Sequence, residues 1–284
     1  MKFGSASGMQ IAFFTFALLL LIVPVTNQVV GLFPWNPAEA RFIRTTLPFM
    51  VVAIVLVSFP LLRAKCVQEL SRPLALGRRR EAVAVSLAGL AVSFAWAGLW
   101  VLWWWVTEGP VSAGQHLRLL DSHDAAMADA LSLPGALRNL LIAVLVAPLI
   151  EELLFRCLLF RAWAAQWGWF PSMVLTSALF GLYHPNFIPA FASSVVYVCL
   201  YRRTGSLWAP IGAHAFFNLC AFYPLLGRFV FPRSDEPSGD LANWEVHLAC
   251  LLFVAVALPA YVFMSRDREA APRWTSESDE LLPQ

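Results

Sequence analysis

Long apolar runs constrain this chain more than any other feature, and one of them holds charges that an ordinary membrane-crossing helix does not carry. A helix needs about 20 apolar residues to cross the ~30 Å hydrocarbon core of a bilayer. Eight candidate runs occur, at residues 9–25, 46–62, 83–106, 137–160, 170–185, 187–201, 206–226 and 245–264. The fifth and sixth are short and share a break at Pro185-Asn186, so seven is the alternative count. Inside the fourth run stands Glu151-Glu152-Leu153-Leu154-Phe155-Arg156, three formal charges within six residues. An ionised side chain at the bilayer centre costs roughly 2.5–3.5 kcal/mol on insertion scales, so these charges must be offset by partners or retained for function. Nothing alternates with the period of two that a barrel needs. The expected fold is all-α: a polytopic integral membrane protein of about eight transmembrane helices with an intramembrane catalytic site.

Composition agrees, with 59% hydrophobic and 13% charged residues in 284, where a soluble domain carries about twice that charge. The first run begins after Lys2 and lacks a small-x-small cleavage site before Asn27, so it reads as a helix rather than a removed leader. Arg63, Lys65, Arg72, Arg78, Arg79 and Arg80 mark the segment between the second and third helices as cytoplasmic. Both termini then face the cytoplasm, with Arg202, Arg203, Arg266, Arg268 and Arg273 on that side. The acidic segments 108–129 and 235–240 fall outside. Four regions follow: residues 1–136, helices one to three and a long loop over 107–135 with room for a surface helix; 137–226, the catalytic core; 227–264, the last loop and helix; and 265–284, a disordered polar tail. The net charge of +2 is explained by topology, and no nucleic-acid partner is expected. Cysteines 66, 157, 199, 220 and 250 form no Cys-x-x-Cys pair and read as buried apolar thiols.

Spacing assigns roles to the polar residues inside the apolar runs. Residues four apart share a helix face, so Glu152 and Arg156 pair, the acid preceding the base in the favourable order. Glu151 points about 100° away and must find its partners on other helices. Pro148, lacking an N–H, should kink or open the helix beside it. His184 ends the fifth run and His214 lies in the seventh, with Asn218 one turn further on the same face. His116, His123 and His247 lie in loops or near a helix end and read as bland. A desolvated carboxylate is a strong enough base to take a proton from water. A neutral imidazole beside it holds that water or protonates a leaving amine, and an Asn-His pair donates to an oxyanion. Together these residues suit amide hydrolysis by activated water. Metal is the competing activator: Glu151, His184 and His214 are a possible three-ligand zinc set, although His-Glu-x-x-His is absent. Spacing leaves that choice open.

Three blocks, Ala147-Pro148-Leu149-Ile150-Glu151-Glu152-Leu153-Leu154-Phe155-Arg156, then Phe180-Gly181-Leu182-Tyr183-His184, then Thr204-Gly205-Ser206-Leu207-Trp208-Ala209-Pro210 leading into His214 and Asn218, resemble the CAAX protease and bacteriocin-processing (CPBP) family of intramembrane endopeptidases, related to the type II CAAX prenyl proteases. The resemblance covers roughly residues 140–222. It implies that Glu151 activates water with His184, that His214 and Asn218 stabilise the oxyanion, that Glu152 and Arg156 are a structural pair, and that a metal-free glutamate mechanism is favoured, with zinc as the alternative. Cys157 is a departure, since many members carry Gly after the Arg. The implied partner is a lipidated or membrane-anchored protein or peptide cut near its C-terminus. Two other classes remain as alternatives. A proton-coupled transporter would use the same buried groups, but a second Glu-Glu cluster, as a repeat would supply, is absent from the first half. A non-proteolytic membrane scaffold would need only the Glu152–Arg156 pair.

Overall fold

A computed structural model describes residues 17, 21–22, 24–34, 37–109, 140–184, 186–222 and 244–267, which are helices and short turns with no strand among them. After helical residues 24–31 come α1 (Pro37–Ser58), α2 (Pro60–Leu70) and α3 (Leu76–Glu108). A continuous helical run follows, made of a π-helical segment π1 (Leu140–Val146), α4 (Ala147–Glu152), a second π-helical segment π2 (Leu153–Phe160) and α5 (Arg161–Trp167). The remaining helices are α6 (Trp169–Tyr183), α7 (Phe187–Thr204), α8 (Trp208–Phe222) and α9 (Trp244–Met264). The surface helix expected within 107–135, nearly all of the polar tail and most of the first run lie outside the described residues.

The helical boundaries differ from the apolar runs for identifiable reasons. The second run breaks at Phe59-Pro60: Pro60 opens α2 at its first position, where its missing N–H costs nothing. The halves Thr46–Ser58 and Leu62–Leu70 meet at 100°. In the fourth run Pro148 cannot donate to the carbonyl one turn back, and the chain answers with π-helical turns on both sides of α4 rather than with a break. α6 has 15 residues, about 22 Å of rise against a ~30 Å core. Among the described helices only Glu245–Met264 is by itself long and apolar enough to cross a membrane, at a mean hydropathy of 2.3, and the bent α1–α2 pair adds a second if it counts as one span.

Burial runs opposite to that of a water-soluble protein. Leu252, Val256, Leu102, Trp103 and Val106 are exposed on α9 and α3, whereas Glu69, Glu152 and Arg156 are fully enclosed. Charged groups inside and apolar groups outside suit a bilayer as solvent. All eight residues of π2 are buried, because α2, α6 and α7 close around it. Phe155, Leu158, Leu159 and Phe160 meet Val198, Cys199, Tyr201 and Phe180 in one core. In lipid such contacts stabilise by close packing rather than by removal from water.

Polar ties close one end of the bundle. Glu69 at the end of α2 accepts from Tyr201 Oη at 2.7 Å and Arg72 Nη1 at 2.8 Å, and pairs with Arg161. Arg203 pairs with Glu81 of α3 and donates to Met264 O at 2.9 Å, while Arg202 donates to Ser265 O at 3.3 Å. The basic last turn of α7 thereby satisfies carbonyls left over at the end of α9. These bonds put Arg202, Arg203 and Arg266 at one end. α9 lies along α3, where a Cβ on Gly98 would come within 2.6 Å of His247 O. His247 donates from Nδ1 to Phe94 O at 3.1 Å, so it is a bond between those helices. Gly98→Ala should therefore lower the thermal unfolding midpoint in detergent. Gly89→Ala, in the same helix with nothing within 4 Å of the added carbon, should raise or leave it, since Ala is favoured over Gly in helix interiors by about 0.5–1 kcal/mol.

Candidate active site

Three separate pieces of chain bring their functional groups to one point. Glu151 comes from α4, His184 from the end of α6 and His214 from the middle of α8. His184 caps α6 with extended backbone, φ −104° and ψ 148°, as expected of a residue followed by proline, here Pro185. That turn lets α7 fold back tightly: a Cβ on Gly181 would lie 2.9 Å from the Phe187 ring and 3.0 Å from its carbonyl oxygen. α8 packs against π1, α4, α7 and α3, which carries His214 into the protein.

Glu151 Oε2 lies 3.7 Å from His184 Nε2 and 3.8 Å from His214 Nε2, too far for direct hydrogen bonds. It is buried and has no hydrogen-bond partner among the described residues. The other nitrogen of each imidazole is committed. His184 Nδ1 is 2.7 Å from Phe180 O, and His214 Nδ1 is 3.0 Å from Glu152 Oε1. A carbonyl and an ionised carboxylate can only accept, so both Nδ1 atoms carry the proton. In the neutral rings both Nε2 lone pairs therefore face Glu151. Three acceptors converging on one small region suit a species that donates, such as water. The His184 side chain is 28% exposed against 7% for Glu151 and 5% for His214, so the site opens on the His184 side.

Arg156 Nε lies 2.9 Å from Glu152 Oε2 with both side chains fully enclosed, an ion pair whose N–H does not point squarely at the oxygen. Arg156 Nη2 also donates to Ser194 Oγ at 2.8 Å and to Ser194 O at 3.3 Å. Its guanidinium carbon sits 4.8 Å from the Phe180 ring centre and 5.4 Å from that of Tyr197. Those rings in turn hold the histidines. Phe180 stacks on His184 at 4.3 Å and meets His214 edge-on at 5.7 Å, while Tyr197 stacks on His214 at 5.1 Å. Asn218 stands apart from this set: its Nδ2 donates to Ala143 O on π1 at 2.7 Å.

The six residues singled out from sequence are thus placed as one group of five, Glu151, Glu152, Arg156, His184 and His214, with Asn218 bound to the neighbouring wall. Sequence reasoning missed Phe180, Ser194, Tyr197 and the Glu152–His214 bond. Phe180 lay in a quoted block, and Ser194 is a polar residue in an apolar run; nothing in the sequence pointed to Tyr197. For zinc, the set would be Glu151, His184 and His214, but among the described residues no group of three His, Cys, Asp or Glu is disposed to hold a metal ion.

Removing one partner of a buried ion pair costs about 3–5 kcal/mol, because the other charge stays enclosed. Arg156→Ala should accordingly lose most folded protein, measured as monodisperse yield and thermal midpoint in detergent. Ser194→Ala, which removes one of several bonds to Arg156, should cost only about 1–3 kcal/mol.

Residues 133–220 match the family model of the type II CAAX prenyl endopeptidases, Rce1-like. That stretch encloses all six residues named above. A protein of Bacillus subtilis (strain 168) named "Putative membrane peptidase YdiL" is 29% identical over 82 residues, which are 28% of this chain and 34% of that protein. The match spans about a third of the relative's length. No solved structure matches. The family match falls on the stretch that carries the three sequence blocks, and over residues 133–220 this chain is similar to the Rce1-like type II CAAX prenyl endopeptidases.

Proposed function

We propose that this protein is an intramembrane endopeptidase that hydrolyses a peptide bond near the C-terminus of a lipidated or membrane-anchored protein or peptide. The observation that carries the reading is the convergence of Glu151 Oε2 with Nε2 of His184 and of His214, at 3.7 and 3.8 Å, from three helices around a buried point. A rise of about 1.5 Å per residue, counted from Arg161 back to Glu151 and from Ser206 on to His214, supports a depth of about 10–15 Å from the charged end of the bundle. A substrate that already lies in the membrane reaches such a depth without leaving it. Eight crossings with both termini cytoplasmic remain the topology we favour, because Arg202 and Arg203 of α7 and Arg266, just past α9, share one end.

In this mechanism a water donates one hydrogen to Glu151 Oε2 and the other to His184 Nε2, which orients its lone pair toward the scissile carbonyl. Glu151 takes the proton as the C–O bond forms. Asn218, using its second amide hydrogen, and His214, once protonated at Nε2, stabilise the oxyanion. Collapse breaks the C–N bond, and the proton passes to the departing amine. No serine or cysteine nucleophile is involved.

The test is to express wild type and Glu151→Gln side by side and compare protein termini in the membrane fraction by mass spectrometry. The amide keeps the shape of the carboxyl group and removes the base, so new C-termini should occur only with wild type. His184→Ala should lower cleavage by at least about 100-fold. Identical termini from equal amounts of folded protein would point instead to a scaffold or a proton-coupled transporter.

A further inference from the structure

We infer that Glu152 is a positioning residue for the reaction, acting through His214: it keeps the proton on Nδ1, so that Nε2 is the atom that takes up and returns a proton at the reaction centre. The inference rests on the hydrolytic reading above and gives Glu152 a role beyond pairing with Arg156.

The enclosed carboxylate of Glu152 divides its oxygens, Oε2 to Arg156 Nε at 2.9 Å and Oε1 to His214 Nδ1 at 3.0 Å. Arg156 is held by Ser194 and cannot follow a moving partner, so Oε1 is fixed in place. The His214 ring is gripped as well, stacked on Tyr197 and edge-on to Phe180, which opposes a ring flip that would put ring carbons where Nδ1 and Nε2 now stand. Nε2 is therefore held facing Glu151 Oε2 at 3.8 Å.

A neutral His214 in this tautomer accepts at Nε2 and cannot donate there. The proton that Glu151 removes from water can pass to Nε2, and the resulting imidazolium is balanced by the Glu152 carboxylate beside Nδ1–H. Its new Nε2–H then serves the oxyanion and finally the departing nitrogen. The atoms balance: a water O–H and the amide C–N break, a C–O and an N–H form, and one water proton ends on the amine while the other leaves with the product carboxyl group. The opposite tautomer would leave Nε2 protonated from the start and unable to receive.

The experiment is nitrogen NMR of full-length, ¹⁵N-histidine-labelled protein in detergent, with the His214 signals identified by their loss in His214→Gln. Wild type should show Nδ1 protonated and Nε2 bare in the neutral ring. Glu152→Gln, whose amide can turn its NH₂ toward Nδ1, should move protons to Nε2 and lower kcat by about 100-fold with little change in KM, using the substrate found by the terminus comparison. Glu152→Asp should restore part of both. A wild-type ring protonated at Nε2 and bare at Nδ1 overturns the inference without any variant. So does a Glu152→Gln protein that keeps both the tautomer and kcat. Undiminished cleavage by Glu151→Gln would sink the hydrolytic reading instead, and the tautomer measurement would stand apart from it.

Discussion

A guanidinium enclosed on every side, as Arg156 is, holds its surroundings to a narrow set of arrangements. It is always charged and always a donor, so the protein must present acceptors and electron-rich faces wherever it points. Glu152 from its own helical run, Ser194 from α7, and the rings of Phe180 and Tyr197 do so. Three of these four partners serve a second time. Glu152 also binds His214, Phe180 stacks on His184, and Tyr197 stacks on His214. The group that neutralises the buried cation is thus also the group that aims both imidazoles.

This matters more in lipid than it would in water. The outer faces of α3 and α9 are apolar, and apolar helices gain little by leaving a medium as apolar as themselves. What selects one arrangement is then close packing, as where Gly98 admits the backbone of His247 and Gly181 admits Phe187, together with polar ties that have a single geometry. The Glu69 cluster and the arginines at the end of α7 supply such ties at one end of the bundle. The Arg156 cluster supplies them deeper in. Glu151 Oε2 has no direct hydrogen-bond partner among the described residues, as is also true of the buried Ser177 Oγ, and it faces two imidazoles. Groups left so are costly, and one that faces two imidazoles suits a place where something else binds.

π1 and π2 flank the two glutamates. A proline one turn before the pair withdraws a backbone donor, and the helix accommodates the loss by widening its turns on either side. One of the carbonyls in π1, that of Ala143, accepts from Asn218. The same irregularity that surrounds Glu151 therefore also fixes α8 one turn beyond His214, on the same face.

The sequence by itself determined that the chain is helical, apolar on the scale of a membrane core, and charged at one internal point. It also singled out candidates for the chemistry, because a Glu, two His and an Asn inside apolar runs are costly to keep there. The i, i+4 spacing of Glu152 and Arg156 made their pairing legible, since both lie on one helix. What the sequence could not hold were distances between helices. That Glu152 faces His214, that Phe180 and Tyr197 brace the imidazoles, and that Asn218 binds a backbone carbonyl depend on how α4, α6, α7 and α8 are rotated and set against one another. Local spacing has no access to that rotation. Nor does it reveal that Glu69, in a segment that reads as an exposed basic loop, is buried among arginines and a tyrosine. Tertiary packing decided those contacts, because in an apolar medium every charge must find its partner inside the protein.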